Sequence, residues 1–184
     1  MRIIGGKLKG RKLRSVQGTK IRPTADRTRE AIFNIIAFQV PGATVLDLFA
    51  GTGALGIEAL SRGARSAVFI DISNQSISVL RENLASLPLE SPTKVIRWDI
   101  SRNLNCLHSS ALVIDLVFMD PPYNENLIAP TLGHLHTSQC LANSACIIVE
   151  HSHLDPVLPV QLPFKIVDQR KYGKTRVAFL NYVV

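Results

Sequence analysis

The sequence predicts an α/β fold, with a mainly parallel sheet that is covered by helices on both faces. Apolar runs of strand length alternate with segments of helical periodicity over most of the chain, which is the pattern of right-handed βαβ units. A glycine-rich turn, Gly51-Thr52-Gly53, follows the first apolar run, as in folds that bind a ligand at the carboxyl ends of their strands. Two strand-like runs joined through Tyr172-Gly173-Lys174 come last and predict an antiparallel hairpin at one edge of the sheet.

Each element is predicted from local signals. The first helix begins near Thr24, where Asp26 complements the helix dipole, and Pro41-Gly42 stops it. Its apolar residues recur at helical spacing. Seven strands are expected in one sheet, at 44–49, 67–71, 94–97, 112–119, 145–150, 164–171 and 175–182. Further helices are expected at 54–62, 74–87 and 127–137.

Positive charge is concentrated at the start of the chain. The first 29 residues contain ten lysines and arginines and one acid, so they carry a net +9, whereas the remainder carries −2. Glycines alternate with the cations, a composition that can follow a phosphate backbone closely. Apolar residues interleave with the charges, which favours nucleic-acid contact over a solubilising, partly disordered tail. We predict a basic N-terminal arm over 1–22 and one domain over 23–184, with nucleic-acid contacts from Arg2, Lys7, Lys9, Arg11, Lys12, Arg22 and Arg27.

The composition excludes several other classes of protein. Hydrophobic residues make up 46% and charged residues 19% of the 184-residue chain, as in ordinary globular proteins. No apolar run approaches the roughly 20 residues of a membrane span, and the start lacks a signal-peptide core. Three cysteines without a Cys-x-x-Cys pair indicate reduced thiols in the cytoplasm. No metal is expected, because the pairs His134/His136 and His151/His153 lack zinc spacing.

The most informative stretch is Asp120-Pro121-Pro122-Tyr123, which directly follows a buried strand. It brings a carboxylate, two rigid prolines and an aromatic ring to the strand end where ligands bind in open α/β sheets. Proline removes backbone donors, which leaves the carbonyls of Asp120 and Pro121 free to accept hydrogen bonds. Such a turn suits a planar substrate with an NH2 group, which Tyr123 could stack upon. The alternative is a proline turn without a ligand.

A second signal is the glycine turn within residues 47–56. Gly51 and Gly53 allow close approach to a ligand, and Gly56 allows the helix to pack on the strand. This pattern also occurs in dinucleotide sites. Asp47 within the strand just before the turn and Asp71 at the end of the next strand, together with the carboxylate turn, favour S-adenosylmethionine over a dinucleotide.

Together these residues resemble the class I, Rossmann-like S-adenosylmethionine-dependent methyltransferases. Within that class they are similar to the bacterial 16S rRNA guanine-N2 methyltransferase family designated by the letter D. The resemblance covers nearly the whole chain. Its most specific parts are Arg2-Ile3-Ile4-Gly5-Gly6, the run from Arg22-Pro23-Thr24 to Phe33-Asn34, and the Asp120–Tyr123 turn, which matches the [D/N]-P-P-[F/Y] signature. It implies methylation of a guanine N2 in small-subunit rRNA, within an assembled or partly assembled particle. Nothing in the sequence indicates an obligate dimer, so we expect a monomer.

The resemblance also assigns residue roles. Catalysis would involve Asp120, Pro121, Pro122 and Tyr123. Asp71 would bind the ribose and Ile72 would pack on adenine, and Phe33 and Asn34 would close over the methionine end. The full expected cofactor set is Phe33, Asn34, Asp47, Phe49, Ala50, Gly51, Thr52, Gly53, Asp71, Ile72 and Asp99. Two positions depart from the family: the family more often has Glu where this chain has Asp71, and an acid where it has Ser73.

Some alternatives stay open at the level of the sequence. Asp99 is equally explained as a solvated loop acid, and Phe33 as part of a helix packing face. The cations of the terminal hairpin fit phosphate contacts and a protected sheet edge equally well. Competing functions are DNA adenine-N6 or protein-glutamine methylation, which need the same amine-binding turn, and a non-catalytic RNA-binding module on the same fold.

Overall fold

One mixed sheet organises the chain. The computed structural model describes residues 1–16, 23–108, 112–123, 125–152 and 163–183. Within them lie seven strands and four helices, with one 3-10 turn at Asn105–Leu107. The strands are β1 (Thr44–Leu48), β2 (Ser66–Asp71), β3 (Thr93–Arg97), β4 (Ile114–Met119), β5 (Leu141–Ser152), β6 (Phe164–Tyr172) and β7 (Thr175–Tyr182). The helices are α1 (Pro23–Ile35), α2 (Ala54–Ser61), α3 (Asn74–Ala85) and α4 (Ile128–Ser138).

The strand order is β3-β2-β1-β4-β5-β7-β6. Strands β1 to β5 pair in parallel, whereas β7 is antiparallel to both β5 and β6. Six strands therefore run in one direction and β7 runs against them, which confirms the predicted fold class. The chain starts at the centre with β1, moves out to β3, and returns to the other side of β1 with β4. Such a reversal of strand order opens a crevice at the carboxyl edge of the sheet.

Apolar residues cover both faces of the sheet. All five residues of β1 are buried, as expected for a parallel strand between two layers of helices. One face packs with α1, α2 and α3, which contribute Ile32, Ile57 and Leu80 to its core cluster. The other face packs with α4, through Leu132 and its neighbours. The helices thus hold the crevice edge between two continuous cores.

Several boundaries differ from the predicted ones. Helix α1 ends at Ile35, and the chain continues in turns as far as Pro41-Gly42. Strand β4 begins at Ile114 instead of 112, and β5 begins at Leu141 instead of 145. Between Leu141 and Cys146 the register with β4 shifts, and Ser144 adopts a φ of 65°. The polar residues there sit in a β-bulge, which interrupts the apolar pattern without ending the strand.

The basic N-terminal segment is docked on α2. Glu58 accepts hydrogen bonds from the backbone N–H groups of Ile4 (2.8 Å) and Gly5 (2.7 Å). The Ser61 carbonyl accepts a hydrogen bond from the backbone N–H of Lys7 at 2.7 Å. The Ser61 hydroxyl accepts one from the backbone N–H of Leu8 at 2.9 Å. Ile3 and Leu13 are buried in the core. Residues 1–16 are therefore a bound loop rather than a partly disordered tail, and the interleaved apolar residues are what hold it.

The described ranges contain no helix long and apolar enough to cross a membrane. In the same ranges no three His, Cys, Asp or Glu side chains are grouped so that they could hold a metal ion. The three cysteines are free thiols, and two of them are buried. His134 and His136 instead bond Ile100 and Tyr182, while His153 lies outside the described residues.

Candidate active site

The glycine turn after β1 has a tightly specified backbone. Phe49, Gly51 and Gly53 all have φ between 54° and 79°, in the left-handed region that costs a non-glycine residue roughly 1–2 kcal/mol. A Cβ on Gly53 would collide with the side chain of Leu80, and one on Gly56 with the ring of Phe69. Among the described residues other than its chain neighbours, the Phe49 carbonyl alone lies within 4 Å of a Cβ placed on Gly51. The turn is thus packed from behind by α3 and β2, and its backbone is open in front.

Asp47 lies under this turn and is almost fully buried. One of its oxygens accepts a 2.8 Å hydrogen bond from the backbone N–H of Gly56. The pKa of Asp47 is raised to about 8, mainly by burial and also by the nearby charge of Asp71, while the hydrogen bond from Gly56 acts to lower it. A carboxyl group held in this way gains from a cation placed beside it, because the cation offsets the cost of ionising it away from water.

Asp71, at the end of β2, ties the glycine turn to the next loop. Its two carboxylate oxygens accept from the backbone N–H groups of Gly51 and Ser73, each at 2.8 Å. Each carboxylate oxygen can still accept a further hydrogen bond. Ser73 in turn caps α3 by accepting from the backbone of Ser76. The shorter side chain at position 71 therefore fixes the loop directly and stays at the surface of the crevice.

Two cavities flank the glycine turn. The outer cleft, of about 800 Å³, is lined by residues from the ends of β2, β3 and β4, including Ile72, Trp98 and Asp99. The inner cavity, of about 260 Å³, lies between the glycine turn and α1 and is lined by Asp47, Ala50, Gly51 and Thr52 among others. Phe49 and Asp120 line both cavities. The crevice can therefore hold an elongated ligand that passes Phe49 and ends beside Asp120.

The outer cleft has an apolar section that suits a planar ring. Ile72 is exposed there, and Trp98 is half-buried with its indole N–H bonded to the Asn103 carbonyl. Asp99 accepts from the hydroxyl and backbone of Ser101 and pairs with Arg102 at 3.0 Å. The hydrogen bond from the Ser101 hydroxyl has the largest effect among the contacts that lower the pKa of Asp99. Asp99 is thus a charged acceptor at the rim of the cleft, already engaged by its own loop.

The Asp120–Tyr123 turn closes the inner end of the outer cleft. The hydroxyl of Tyr123 donates to the Glu150 carboxylate at 3.1 Å and shares a hydrogen bond with Thr175 at 3.2 Å. Burial, together with the charges of Glu150 and Asp120, raises the pKa of Tyr123 to about 12. The ring is therefore fixed by β5 and β7 while its surface stays exposed. The C-terminal hairpin, whose Thr175 is 52 positions from Tyr123 in the sequence, helps to position this turn.

Three carboxylates meet around the inner cavity: Asp47, Asp120 and Glu150. Asp120 is reachable from the cleft, but the surrounding walls desolvate it, and Glu150 and Asp47 repel its charge; its pKa is raised well above the usual range. Burial likewise raises the pKa of Glu150. Like charges so close together favour a cationic ligand or a proton. The junction of the two cavities is thus suited to a positively charged group and to accepting a proton.

Two expected cofactor residues lie elsewhere. Phe33 is fully buried and packs on Phe118, with the Arg62 guanidinium over its ring. Asn34 is exposed and lines neither cavity. Helical spacing puts Phe33 on the buried face of α1, and the same face presents Arg29 and Ile32 to the inner cavity. Helix α1 does reach the crevice, but through these two residues.

The other expected residues fall into clear groups. Asp47, Phe49, Ala50, Gly51 and Thr52 line the inner cavity, and Gly53 supports the turn behind them. The cations of the N-terminal segment and Arg27 are exposed on the surface, while Arg22 lies outside the described residues. The sequence reasoning missed Arg29, Trp98 and Glu150. Arg29 had a usable signal, since it is a cation inside the apolar stripe of a helix.

A sheet of this order, with a glycine turn after β1 beside a carboxylate turn after β4, is the architecture of the class I S-adenosylmethionine-dependent methyltransferases. The chain is a member of that class by its fold and by the make-up of its crevice.

Comparison with known proteins identifies the family. The family model described as "Conserved hypothetical protein 95" matches residues 1–181. The chain is 38% identical over 183 residues to YlbH of Bacillus subtilis (strain 168), covering 97% of each chain. It is 39% identical over 159 residues to ribosomal RNA small subunit methyltransferase D of Escherichia coli (strain K12), covering 86% of this chain and 78% of that protein. The solved structure of yhhF from Escherichia coli superposes with a TM-score of 0.83 at 34% identity, covering 100% and 98%. The chain therefore belongs to the ribosomal RNA small subunit methyltransferase D family.

Proposed function

We propose that this chain transfers a methyl group from S-adenosylmethionine to the exocyclic N2 of a guanine in small-subunit rRNA. The observation that carries the proposal is the position of the Asp120–Tyr123 turn at the junction of two cavities, one acidic and one with an apolar section. The family supports rRNA as the substrate, since its members include proteins named for methylation of small-subunit rRNA. The assignment of guanine N2 as the methylated atom rests on the resemblance to the family and on the two hydrogen-bond acceptors of the turn.

The residues of the crevice fit the cofactor. Asp47 is a buried carboxyl that would gain from the ammonium of the methionine part. The open backbone at Gly51 allows close approach, Asp71 retains acceptor capacity for ribose hydroxyls, and Ile72 and Trp98 offer apolar surface for adenine. When bound, S-adenosylmethionine supplies an activated methyl carbon that a nucleophile can attack in line, with the sulfur leaving as the thioether of S-adenosylhomocysteine.

The turn would prepare the substrate amine for this displacement. One amino N–H of guanine would donate to the Asp120 carboxylate and the other to the Pro121 carbonyl, with no proline N–H to compete. These acceptors stabilise the positive charge that develops on the nitrogen as the N–C bond forms. The nitrogen then loses one proton, and Asp120, whose pKa is raised by its surroundings and by Glu150, is suited to receive it. Tyr123 would stack on the unpaired base.

The basic N-terminal arm, residues 1–22, is the proposed RNA contact. Its cations Arg2, Lys7, Lys9, Arg11 and Lys12 are exposed, while the backbone beneath them is held by Glu58 and Ser61. A docked backbone with free cations suits phosphate binding, because little ordering entropy remains to be lost on contact. Arg27, exposed near the start of α1, would extend this surface.

The direct test is methylation with labelled S-adenosylmethionine of four substrates: undermethylated small subunits, naked 16S rRNA, DNA and a release factor. We expect label in small-subunit rRNA, recovered after digestion as N2-methylguanosine. Asp120→Ala should lower turnover by about 10²–10³-fold, the usual cost of removing a group that stabilises transition-state charge. Asp168→Asn, an exposed acid paired with Arg170 on β6, is the matched control and should be near wild type. Label only on DNA or on the release factor, at another guanine atom, or on nothing despite cofactor binding, would refute the proposal.

A further inference from the structure

The inner cavity has an unusual distribution of charge. Three carboxylates line it, from Asp47, Asp120 and Glu150. Among the described residues that line it, Arg29 is the one cationic side chain. A ligand that carries both an ammonium and a carboxylate would therefore find several partners for its ammonium and one side-chain cation for its carboxylate.

Arg29 is buried with part of its hydrogen-bonding capacity unused. The side chain is only 5% exposed. Its Nη2 donates to the Arg2 carbonyl at 2.6 Å and to the Asp26 carboxylate at 3.2 Å. Its Nε lies 3.8 Å from Glu58 and has no hydrogen-bond partner, and within the described residues Nη1 forms none either. A guanidinium has five donors in a planar fork that matches a carboxylate, and such a pair forms two charge-assisted bonds.

The position of Arg29 is fixed from several sides. It lies on the buried face of α1, one turn before Ile32 and Phe33. Its bonds to Arg2 and Asp26 hold the guanidinium in place, and burial is the main cause that lowers its pKa while Glu58 and Asp26 raise it. A held and desolvated cation binds an anion at low entropic cost.

We propose that Arg29 is the receptor for the carboxylate of the methionine part of the cofactor, opposite Asp47, which receives the ammonium. This inference rests on the proposed use of S-adenosylmethionine and adds to it a residue outside the expected set. Arg29, instead of Phe33 and Asn34, would then be the residue of α1 that contacts the methionine end of the cofactor. The competing explanation is purely structural: Arg29 would only join the N-terminal segment to Glu58.

Calorimetric titration with three ligands separates these explanations. S-adenosylhomocysteine carries both the ammonium and the carboxylate, its decarboxylated analogue lacks only the carboxylate, and 5′-methylthioadenosine lacks both. We expect the wild-type chain to bind S-adenosylhomocysteine about 10- to 100-fold more tightly than the decarboxylated analogue, the range for hydrogen bonds to charged groups. Arg29→Met should bind S-adenosylhomocysteine about 10- to 100-fold less tightly than the wild-type chain does. Its affinity for the decarboxylated analogue should change by less than about 3-fold.

The matched control is Arg62→Met. Arg62 also binds Glu58, at 2.8 Å, and lies over Phe33, but it does not line the inner cavity. It should affect all three ligands equally. The inference is overturned if the wild-type chain binds S-adenosylhomocysteine and its decarboxylated analogue equally well, a result that needs no variant to fold. It is also overturned if Arg29→Met, or Arg29→Lys where the methionine variant is unstable, weakens all three ligands alike. Failure of the wild-type chain to bind any of them would instead overturn the cofactor assignment, and this inference with it.

Discussion

Replacing Glu58 by glutamine should destabilise the protein severely and release its N-terminal segment. Glu58 is 1% exposed, and it accepts from the backbone of Ile4 and Gly5 and from Nε of Arg62 at 2.7–2.8 Å. Its charge also faces Arg29. The variant leaves two cations without their buried carboxylate and puts an amide NH2 opposite N–H donors. Breaking a buried ion pair on one side typically costs about 3–5 kcal/mol, and we expect a loss in that range.

Urea unfolding measures this loss directly. For a chain of this size, each kcal/mol lowers the melting temperature by roughly 2–4 °C, so a shift of about 6–20 °C should accompany it. Trypsin should also cleave the lysine-rich segment at residues 7–12 faster than in the wild type. Glu82→Gln is the matched control, because Glu82 pairs with Arg14 at 2.6 Å on the open surface, where ion pairs contribute about 0–1 kcal/mol. Equal losses for the two variants, or unchanged cleavage in Glu58→Gln, would refute the reasoning.

Two further predictions follow from the charges around the crevice. Burial raises the pKa of Asp47 to about 8, so the folded state holds this proton more tightly than the unfolded chain does. The stability that the bound proton contributes is complete at pH values below the pKa of Asp47 in the unfolded chain. It is lost as pH rises toward 8. Binding the cofactor's ammonium should therefore release close to one proton from Asp47 at pH 6.5, measured by calorimetry in buffers of different ionisation enthalpy. Asp47→Asn should remove that share of the release, and an unchanged release would contradict this. At the turn between β6 and β7, Lys174→Gln should lower the slope of log RNA affinity against log salt concentration by about one phosphate contact. Lys94→Gln, near the start of β3, should leave that slope unchanged. Equal slopes for the two variants would favour the view that the hairpin cations only protect the sheet edge.

The fold was largely predictable because its signals are local. Alternating apolar runs and helical stretches define βαβ units, and chirality leaves few ways to connect them. The hairpin signal likewise placed β6 and β7 together. The sequence could not locate the start of β5, because the polar residues at the bulge near Ser144 resemble a strand end. It also could not show that Glu58 binds the N-terminal backbone, since that contact joins residues more than fifty positions apart.

The residues of the candidate site likewise divide into those that the sequence could indicate and those that it could not. Asp47 and the glycine turn, like Asp120–Tyr123, were evident because each group is contiguous in sequence and follows a strand. Trp98 and Glu150 were missed because their roles depend on which strand ends meet at the crevice edge. The sequence left Phe33 open between a cofactor contact and a helix packing face, because a helical residue's direction depends on how the helix is rotated about its axis. In the structure, Phe33 packs against Phe118 on the buried face of α1.

The contacts around Arg29 and Asn83 connect the two binding surfaces of the proposed enzyme. Arg29 lines the inner cavity and donates to the Arg2 carbonyl of the N-terminal segment. Asn83, buried on α3, donates both to the Thr52 carbonyl of the glycine turn and to the Arg14 carbonyl, and accepts from the Arg14 backbone. Met1 itself lines the inner cavity. The segment proposed to bind RNA is thus built into the wall of the inner cavity, so undocking it would remove part of the proposed cofactor site as well as the proposed RNA contact. For that reason a variant such as Glu58→Gln should weaken cofactor and RNA binding together, whereas removal of a surface cation such as Lys9 should weaken RNA binding alone.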